Sequence, residues 1–238
     1  MSGASGDDND DAMFLLIEPR NHAATPFVLG SFMGRYPGWP CHWYHGTETD
    51  TERVLRDPRV APHRHNVVLH GLPKANLTIA DYNALFFSAD FWRDQPRELV
   101  WVIQTDVALF HDSPHDLREF HCYDYCGAPW PHARVAQLGP WEWSGRAGNG
   151  GFSFRRRAAM VRCLEEGPAP ADNEDVFFAY HCRHLIRVAP GRVAARMSCE
   201  MAKTYPNPAG AHKGHVYEPR IARDHPEARV LGTLQRTV

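Results

Sequence analysis

The stretch Leu99-Val100-Trp101-Val102-Ile103-Gln104-Thr105-Asp106 decides the fold class. Five consecutive apolar residues, β-branched or aromatic at four positions, read as a strand buried on both faces. Such strands sit in sheets covered by helices, and ligands gather beyond their carboxyl ends. The run stops at a polar triplet ending in a carboxylate. Asp106 therefore stands where a metal ion can be held against the phosphates of a ligand. A strand-end Asp is also a common turn former, so the stretch alone leaves both roles open.

Working outward, strand and helix patterns alternate. Phe14-Leu15-Leu16-Ile17 reads as a first buried strand closed by Glu18-Pro19-Arg20. Thr25-Pro26 opens a helix with Thr25 as N-cap, and Leu29, Phe32, Met33 and Tyr36 keep the helical period until Pro37-Gly38. A second strand from Cys41 to Tyr44 delivers His45-Gly46-Thr47 to a loop, and Val67-Val68-Leu69 is a short third strand. Thr78 to Asp81 reads as a cap for a helix with Tyr82, Leu85, Phe86 and Ala89 on one face. An extended piece is expected near Tyr123 to Ala128. Residues 129–151 are rich in Gly, Pro and Trp without any period, as functional loops are. Gly151 to Phe154 returns to strand, a helix follows over 156–166, and Asn173 caps another that begins with Glu174 and Asp175. The last 25 residues carry no readable pattern. Without repeats or linkers, the expectation is a disordered acidic tail over 1–12 and a single α/β domain over 13–238, its mostly parallel central sheet flanked by helices.

Composition narrows the function classes. Of 238 residues, 43% are hydrophobic and 23% charged, the balance of an ordinary globular domain. A net charge of −2 gives no global electrostatic attraction to nucleic acid or to a membrane surface. No apolar run reaches the roughly 20 residues of a membrane span, and the acidic start does not resemble a signal peptide. The six cysteines form no compact disulfide framework, and His121-Cys122 with Cys126 lacks a second Cys/His pair at zinc spacing. A soluble, reduced, cytoplasmic protein is expected.

Four segments carry candidate chemistry. Besides Gln104-Thr105-Asp106, the glycines of Gly148-Asn149-Gly150-Gly151 let backbone approach a ligand, or simply turn a hairpin. Glu174 and Asp175 suit a helix N-terminus electrostatically, and either can act as a general base on a hydroxyl. Late in the chain, His212 can offer an imidazole to a metal and Lys213 can neutralise a diphosphate. Lys213 is one of only three lysines, whereas His212 is one of 15 histidines. Trp130, Trp141 and Trp143 offer rings that stack on a sugar face or anchor a loop.

Taken in order, these segments resemble a family of glycosyltransferase-like proteins with the GT-A nucleotide-sugar fold. The resemblance runs through I-E-P-R (Ile17 to Arg20), H-G-T (His45 to Thr47), D-Y-N (Asp81 to Asn83) and Q-T-D (Gln104 to Asp106). It continues through D-Y-C-G-A-P-W (Asp124 to Trp130), G-N-G-G-F-S (Gly148 to Ser153), E-D-V-F-F (Glu174 to Phe178) and a late G-x-H-K. It implies an enzyme that moves a sugar from a nucleotide diphosphate donor to a glycan or other hydroxyl acceptor, with no nucleic acid partner. Asp106 and His212 would hold a divalent metal, Mn²⁺ or Mg²⁺, although Gln104 replaces the first acid of an acid-x-acid motif. His215 is a rival ligand, because relatives often continue H-K-P-W where this chain reads His212-Lys213-Gly214-His215.

The resemblance further implies that Glu18, Arg20, His45, Gly46, Thr47, Thr105 and Lys213 surround the nucleotide. Trp130, Asn149, Gly150 and Gly151 would shape the sugar and acceptor pocket. Similarity of the E-D-V segment to inverting galactosyl- and N-acetylglucosaminyltransferases points to Asp175, ahead of Glu174, as the catalytic base. Two alternatives stand beside this reading. One is a non-catalytic nucleotide-sugar or carbohydrate-binding protein, which Gln104 favours. The other is a nucleotidyltransferase, which usually needs a Gly- and basic-rich loop that residues 18–30 lack.

Overall fold

A computed structural model describes residues 11–130, 148–200, 205–213 and 219–236. Its centre is a six-stranded sheet in the order β3-β2-β1-β4-β7-β6. The strands are β1 (Ala12–Ile17), β2 (Cys41–His45), β3 (Val67–Gly71), β4 (Leu99–Ile103), β6 (Tyr125–Gly127) and β7 (Phe152–Arg156). Strands β1 to β4 run parallel, whereas β7 is antiparallel to both β4 and β6. A second, three-stranded sheet joins β5 (Val107–Leu109), β9 (Gly210–His212) and β8 (Ser198–Cys199).

Every residue of β1 and β4 is buried, as two-sided coverage of a parallel sheet requires. Alternation along the strands sorts side chains between two apolar layers. Phe14, Leu16, Trp101 and Ile103 face one layer, packed with Phe32 of α1 (Thr25–Arg35) and with Phe152 and Phe154. Met13, Leu15, Val100 and Val102 face the other. That layer includes Phe86 of α3 (Ile79–Phe86), Trp92 of α4 (Ala89–Arg93) and Met160 of α5 (Arg157–Glu166). Between α1 and α3 lies the single-turn α2 (Thr51–Leu55).

Several local expectations shift. The first strand begins at Ala12, and Asp11 bonds the Glu98 and Leu99 amides, so the expected tail gives its last two residues to the fold. Thr25 lies inside α1 rather than capping it; Ala24 is the N-cap, and no side chain completes the cap. Thr78 and Asp81 do form a capping box, but the helix ends at Phe86. Ser88 then caps a separate α4, which takes Ala89 off the expected face. Asn173 sits at the N-cap of α6 (Glu174–Val176) without a side-chain cap bond, and a π-turn over Phe177–His181 continues the helix. Helices α8 (Pro219–Asp224) and α9 (Pro226–Gln235) lie in the last 25 residues, which carry no readable pattern, and α7 (Gly191–Met197) precedes them. All six cysteines are unbridged. Among the described residues, no helix is long and apolar enough to cross a membrane.

Candidate functional site

Topology gathers the predicted residues before any side chain is considered. Parallel β1 and β4 end on the same edge, releasing Glu18 beside Thr105, the residue after Gln104. Antiparallel β7 begins on that edge, with Phe152 opposite Ile103, so Gly150 and Gly151 arrive against the end of β4. The small sheet supplies the fourth piece. Val107 pairs with His212, and the Lys213 amide bonds the Asp106 carbonyl at 3.0 Å, fixing His212 beside Asp106. The residues surround a cleft of about 540 Å³.

At one end of the cleft lie Gln104, Asp106 and His212. Asp106 Oδ1 and Gln104 Oε1 each stand 3.1 Å from His212 Nε2. The Gln104 amide is oriented from behind, donating to the Tyr82 hydroxyl at 2.9 Å. Glu200 faces the other imidazole nitrogen, its Oε1 3.2 Å from Nδ1. Burial alone would raise the Asp106 carboxyl, but the His212 imidazolium and Lys213 overcome it and hold it at about 2. The same pairing works against burial on His212, which Asp106 and Glu200 raise to about 9. Lys213 adopts a left-handed backbone, φ 52°, an uncommon conformation for a residue with a side chain.

Asp106, His212 and Gln104 are the groups of this cluster that could hold a divalent cation. Asp106 Oδ1 is buried and lies at ion-pair distance from His212, yet makes no aligned hydrogen bond. Neighbouring ligands of an octahedral ion with bonds of about 2.1 Å stand roughly 3 Å apart, close to the two separations at His212 Nε2. Glu200 then takes the place of the outer carboxylate that commonly orients a metal-bound imidazole. Among the described residues, no group of three His, Cys, Asp or Glu side chains is set for a metal; the third group beside His212 is the Gln104 amide oxygen.

Glu174 and Asp175 lie elsewhere along the cleft and differ sharply. The Glu174 carboxylate receives both arms of the Arg155 guanidinium, at 2.5 and 3.0 Å, while its amide donates to Asn83 Oδ1 at 3.2 Å. Asp175 accepts the Val176 amide at 2.8 Å. Burial, reinforced by the Glu174 charge, lifts the Asp175 carboxyl to about 7 despite Arg155. A carboxyl poised there can exchange a proton near neutrality, whereas Glu174 is committed to its ion pair.

The glycine turn separates the two acidic clusters. A methyl group on Gly151 would meet the His212 ring and lie 2.6 Å from Gln104 Oε1. On Gly150 it would run into the Glu174 carboxylate and lie 2.9 Å from an Arg155 nitrogen and 3.0 Å from Asp175 Cβ. Asn149 builds the turn, its Oδ1 accepting the Gly151 amide at 3.0 Å. Trp130 is buried at the cleft wall, with its ring where a side chain on Gly148 would go.

Of the residues expected around a nucleotide, Glu18, Arg20, Thr105 and Lys213 line the cleft. Glu18 accepts Arg20 Nε and Nη2, at 2.8 and 2.9 Å, and the Thr105 hydroxyl at 2.9 Å. His45, Gly46 and Thr47 do not line this cleft. Gly46 packs directly against the carbonyls of Pro19, Lys74 and Ala75, and the Thr47 amide bonds Lys74, so this turn buttresses the loop after β1 from behind. His121 is no zinc ligand here: buried, it accepts the Trp101 indole N–H at 3.1 Å. Trp141, Trp143 and His215 lie outside the described residues. Sequence reasoning missed Arg155 and Glu200. It also quoted Tyr82 and Asn83 without a role, although their helix braces both clusters.

Residues 67–212 match a family model described as a protein of unknown function, DUF5672. No curated protein is detectably similar in sequence. Among solved structures, the chain is similar to the galactosyltransferase LgtC in complex with donor and acceptor sugar analogues. The TM-score is 0.54 at 13% identity, over 95% of this chain and 96% of that one. An active-site mutant of LgtC gives 0.52 at 14% identity, over 94% and 96%. At such identities the likeness establishes the architecture, a mixed α/β fold of the glycosyltransferase LgtC type. With more than half of its length under the family model, the chain belongs to the DUF5672 family.

Proposed function

We propose that this protein is a glycosyltransferase that moves a sugar from a nucleoside diphosphate donor to a hydroxyl acceptor. The observation that carries the reading is the glycine turn: Gly151 abuts the Gln104–His212 cluster, while Gly150 abuts the Glu174–Arg155 pair and the Asp175 Cβ. The proposed diphosphate site and proton acceptor then flank the same short backbone, whose glycines let both clusters pack directly against it. The LgtC likeness, a protein crystallised with donor and acceptor sugar analogues, supports the same reading.

In this mechanism, Asp106, His212 and Gln104 would hold a divalent cation, which would supply Lewis-acid stabilisation to the leaving diphosphate. Arg20 and Lys213, both on the cleft wall, add positive charge toward the phosphates. The acceptor oxygen attacks the anomeric carbon as Asp175 takes its proton. The bond from that carbon to the diphosphate oxygen breaks, and its electron pair leaves with the nucleoside diphosphate. A single displacement of this kind inverts the anomeric configuration. Trp130, Asn149, Gly150 and Gly151 shape the pocket around the transferred sugar, and Glu174 keeps its partner Arg155 rather than touching substrate.

The reading is tested with a thermal-shift panel of nucleoside diphosphate sugars, with and without Mn²⁺. One donor class should stabilise the protein only with the metal, and Asp106→Ala should remove that response. Stabilisation that ignores both Mn²⁺ and Asp106→Ala refutes the assigned donor site. Product with the donor's own anomeric configuration refutes the single displacement.

A further inference from the structure

We propose that Arg155 is a positioning residue, whose buried guanidinium joins Glu174 to the Gly150 turn and so fixes the place and surroundings of the Asp175 carboxyl. The proposal rests on Asp175 being the base of the transfer reaction described above.

Arg155 is the fourth residue of β7, fully buried, in a position where a strand would ordinarily carry an apolar side chain. Its contacts account for every arm of the guanidinium. Nη1 and Nη2 grip the Glu174 carboxylate, Nη2 also reaches the Gly150 carbonyl at 3.3 Å, and Nε donates to Ser153 Oγ at 3.0 Å. Ser153 in turn donates to the same Gly150 carbonyl at 2.8 Å, so the turn is held twice. Around the cation stand four aromatic rings: Phe86 at 4.7 Å, Tyr125 at 5.2 Å, Phe178 at 5.7 Å and Trp92 at 5.8 Å. Sites built only for stability seldom enclose an ion pair this way, because an apolar pair of similar volume is often as good or better. What a fork of fixed geometry adds is register between two segments. Here the segments are the turn that faces the cleft and the short helix that carries Asp175.

The groups facing Asp175 come from four elements: Glu174 beside it, Arg155 on β7, Tyr125 on β6 and Glu200 after β8. Of these, Arg155 favours the ionised form of Asp175 and Glu174 opposes it. Removing one member of the ion pair must therefore move the Asp175 titration in a direction set by which member is lost.

The test follows the Asp175 carboxyl by ¹³C NMR titration, without substrate, in the wild-type protein and in Arg155→Gln, Glu174→Gln and the double variant. Arg155→Gln should raise the midpoint by about one pH unit or more, Glu174→Gln should lower it, and the double variant should return toward wild type. Glu174→Gln keeps an amide oxygen for the guanidinium, so it reports even where Arg155→Gln does not fold. Arg155→Lys keeps the charge without the fork; it should cut kcat by about tenfold or more with donor KM little changed. Folded Arg155→Gln or Glu174→Gln protein with an unmoved Asp175 midpoint overturns the proposal. Midpoints that move as expected in a protein that transfers no sugar uphold the control of Asp175 by Arg155 and Glu174 and remove the transferase reading instead.

Discussion

Asp175→Asn should make this protein more stable as it removes its activity. The wild-type carboxyl is raised from 3.8 to about 7, first by burial and then by the Glu174 charge. At about 1.4 kcal/mol per factor of ten, ionising it in the folded state costs on the order of 4 kcal/mol. The sign follows from proton binding. Folded protein holds this proton more tightly than unfolded protein, so wild-type stability falls as pH rises from about 4 to about 7 and levels off above that. The variant has nothing to titrate there, and its amide oxygen still accepts the Val176 N–H that Asp175 accepts at 2.8 Å. Urea unfolding of both proteins between pH 4 and 8.5 isolates the effect, because titrations elsewhere cancel in the difference. The variant's advantage should be small at pH 4, grow through pH 5 and 6, and plateau near pH 7 to 8. A difference that stays constant across the range, or a variant less stable than wild type at pH 8, refutes the reasoning. Stabilisation on removing a functional group is a known trade between stability and activity.

Two further substitutions separate the parts of the cleft. Gly151→Ala places a methyl group against His212 and 2.6 Å from Gln104 Oε1, so Mn²⁺ affinity by calorimetry should fall by about 10–100-fold, the range typical of displaced metal surroundings. An unchanged affinity places the cation elsewhere. Asn83→Ala removes the acceptor of the Glu174 amide, and should cost about 1 kcal/mol in denaturant unfolding and lower kcat while leaving Mn²⁺ binding intact. A loss of Mn²⁺ binding in that variant contradicts the separation of the two clusters.

The sequence made the scaffold legible where burial is two-sided. The run from Leu99 to Ile103 carries its own signal, because five apolar residues ending at a polar triplet have few other solutions. The bond between β5 and β9 was not legible: three-residue strands show no period, and their pairing joins positions more than 100 residues apart. For that reason His212 became a candidate through resemblance, with its place beside Asp106 visible only in the fold. Arg155 and Glu200 illustrate a different limit. Charged residues in a chain rich in arginine carry no mark of burial, and their meaning comes from what packs around them. Asn173 shows local reasoning overridden, since the orphan amide of Glu174 is met by Asn83 from another helix. Residues His45 to Thr47 end a strand on the correct edge of the sheet, yet the loop after β1 lies between them and the cleft.

The central claim is that one cleft joins a cation-dependent donor site at Asp106 to a proton acceptor at Asp175. The most direct measurement is nucleoside diphosphate release from a panel of nucleotide sugars, with hydroxyl acceptors and Mn²⁺, by wild type, Asp106→Asn and Asp175→Asn side by side. Wild type should release nucleoside diphosphate together with a glycosylated product from one donor class. Asp175→Asn should bind that donor normally and transfer about 10²–10⁴-fold more slowly, whereas Asp106→Asn should lose the Mn²⁺-dependent binding itself. Transfer at the wild-type rate by either variant, or no transfer from any donor by wild type, contradicts the account.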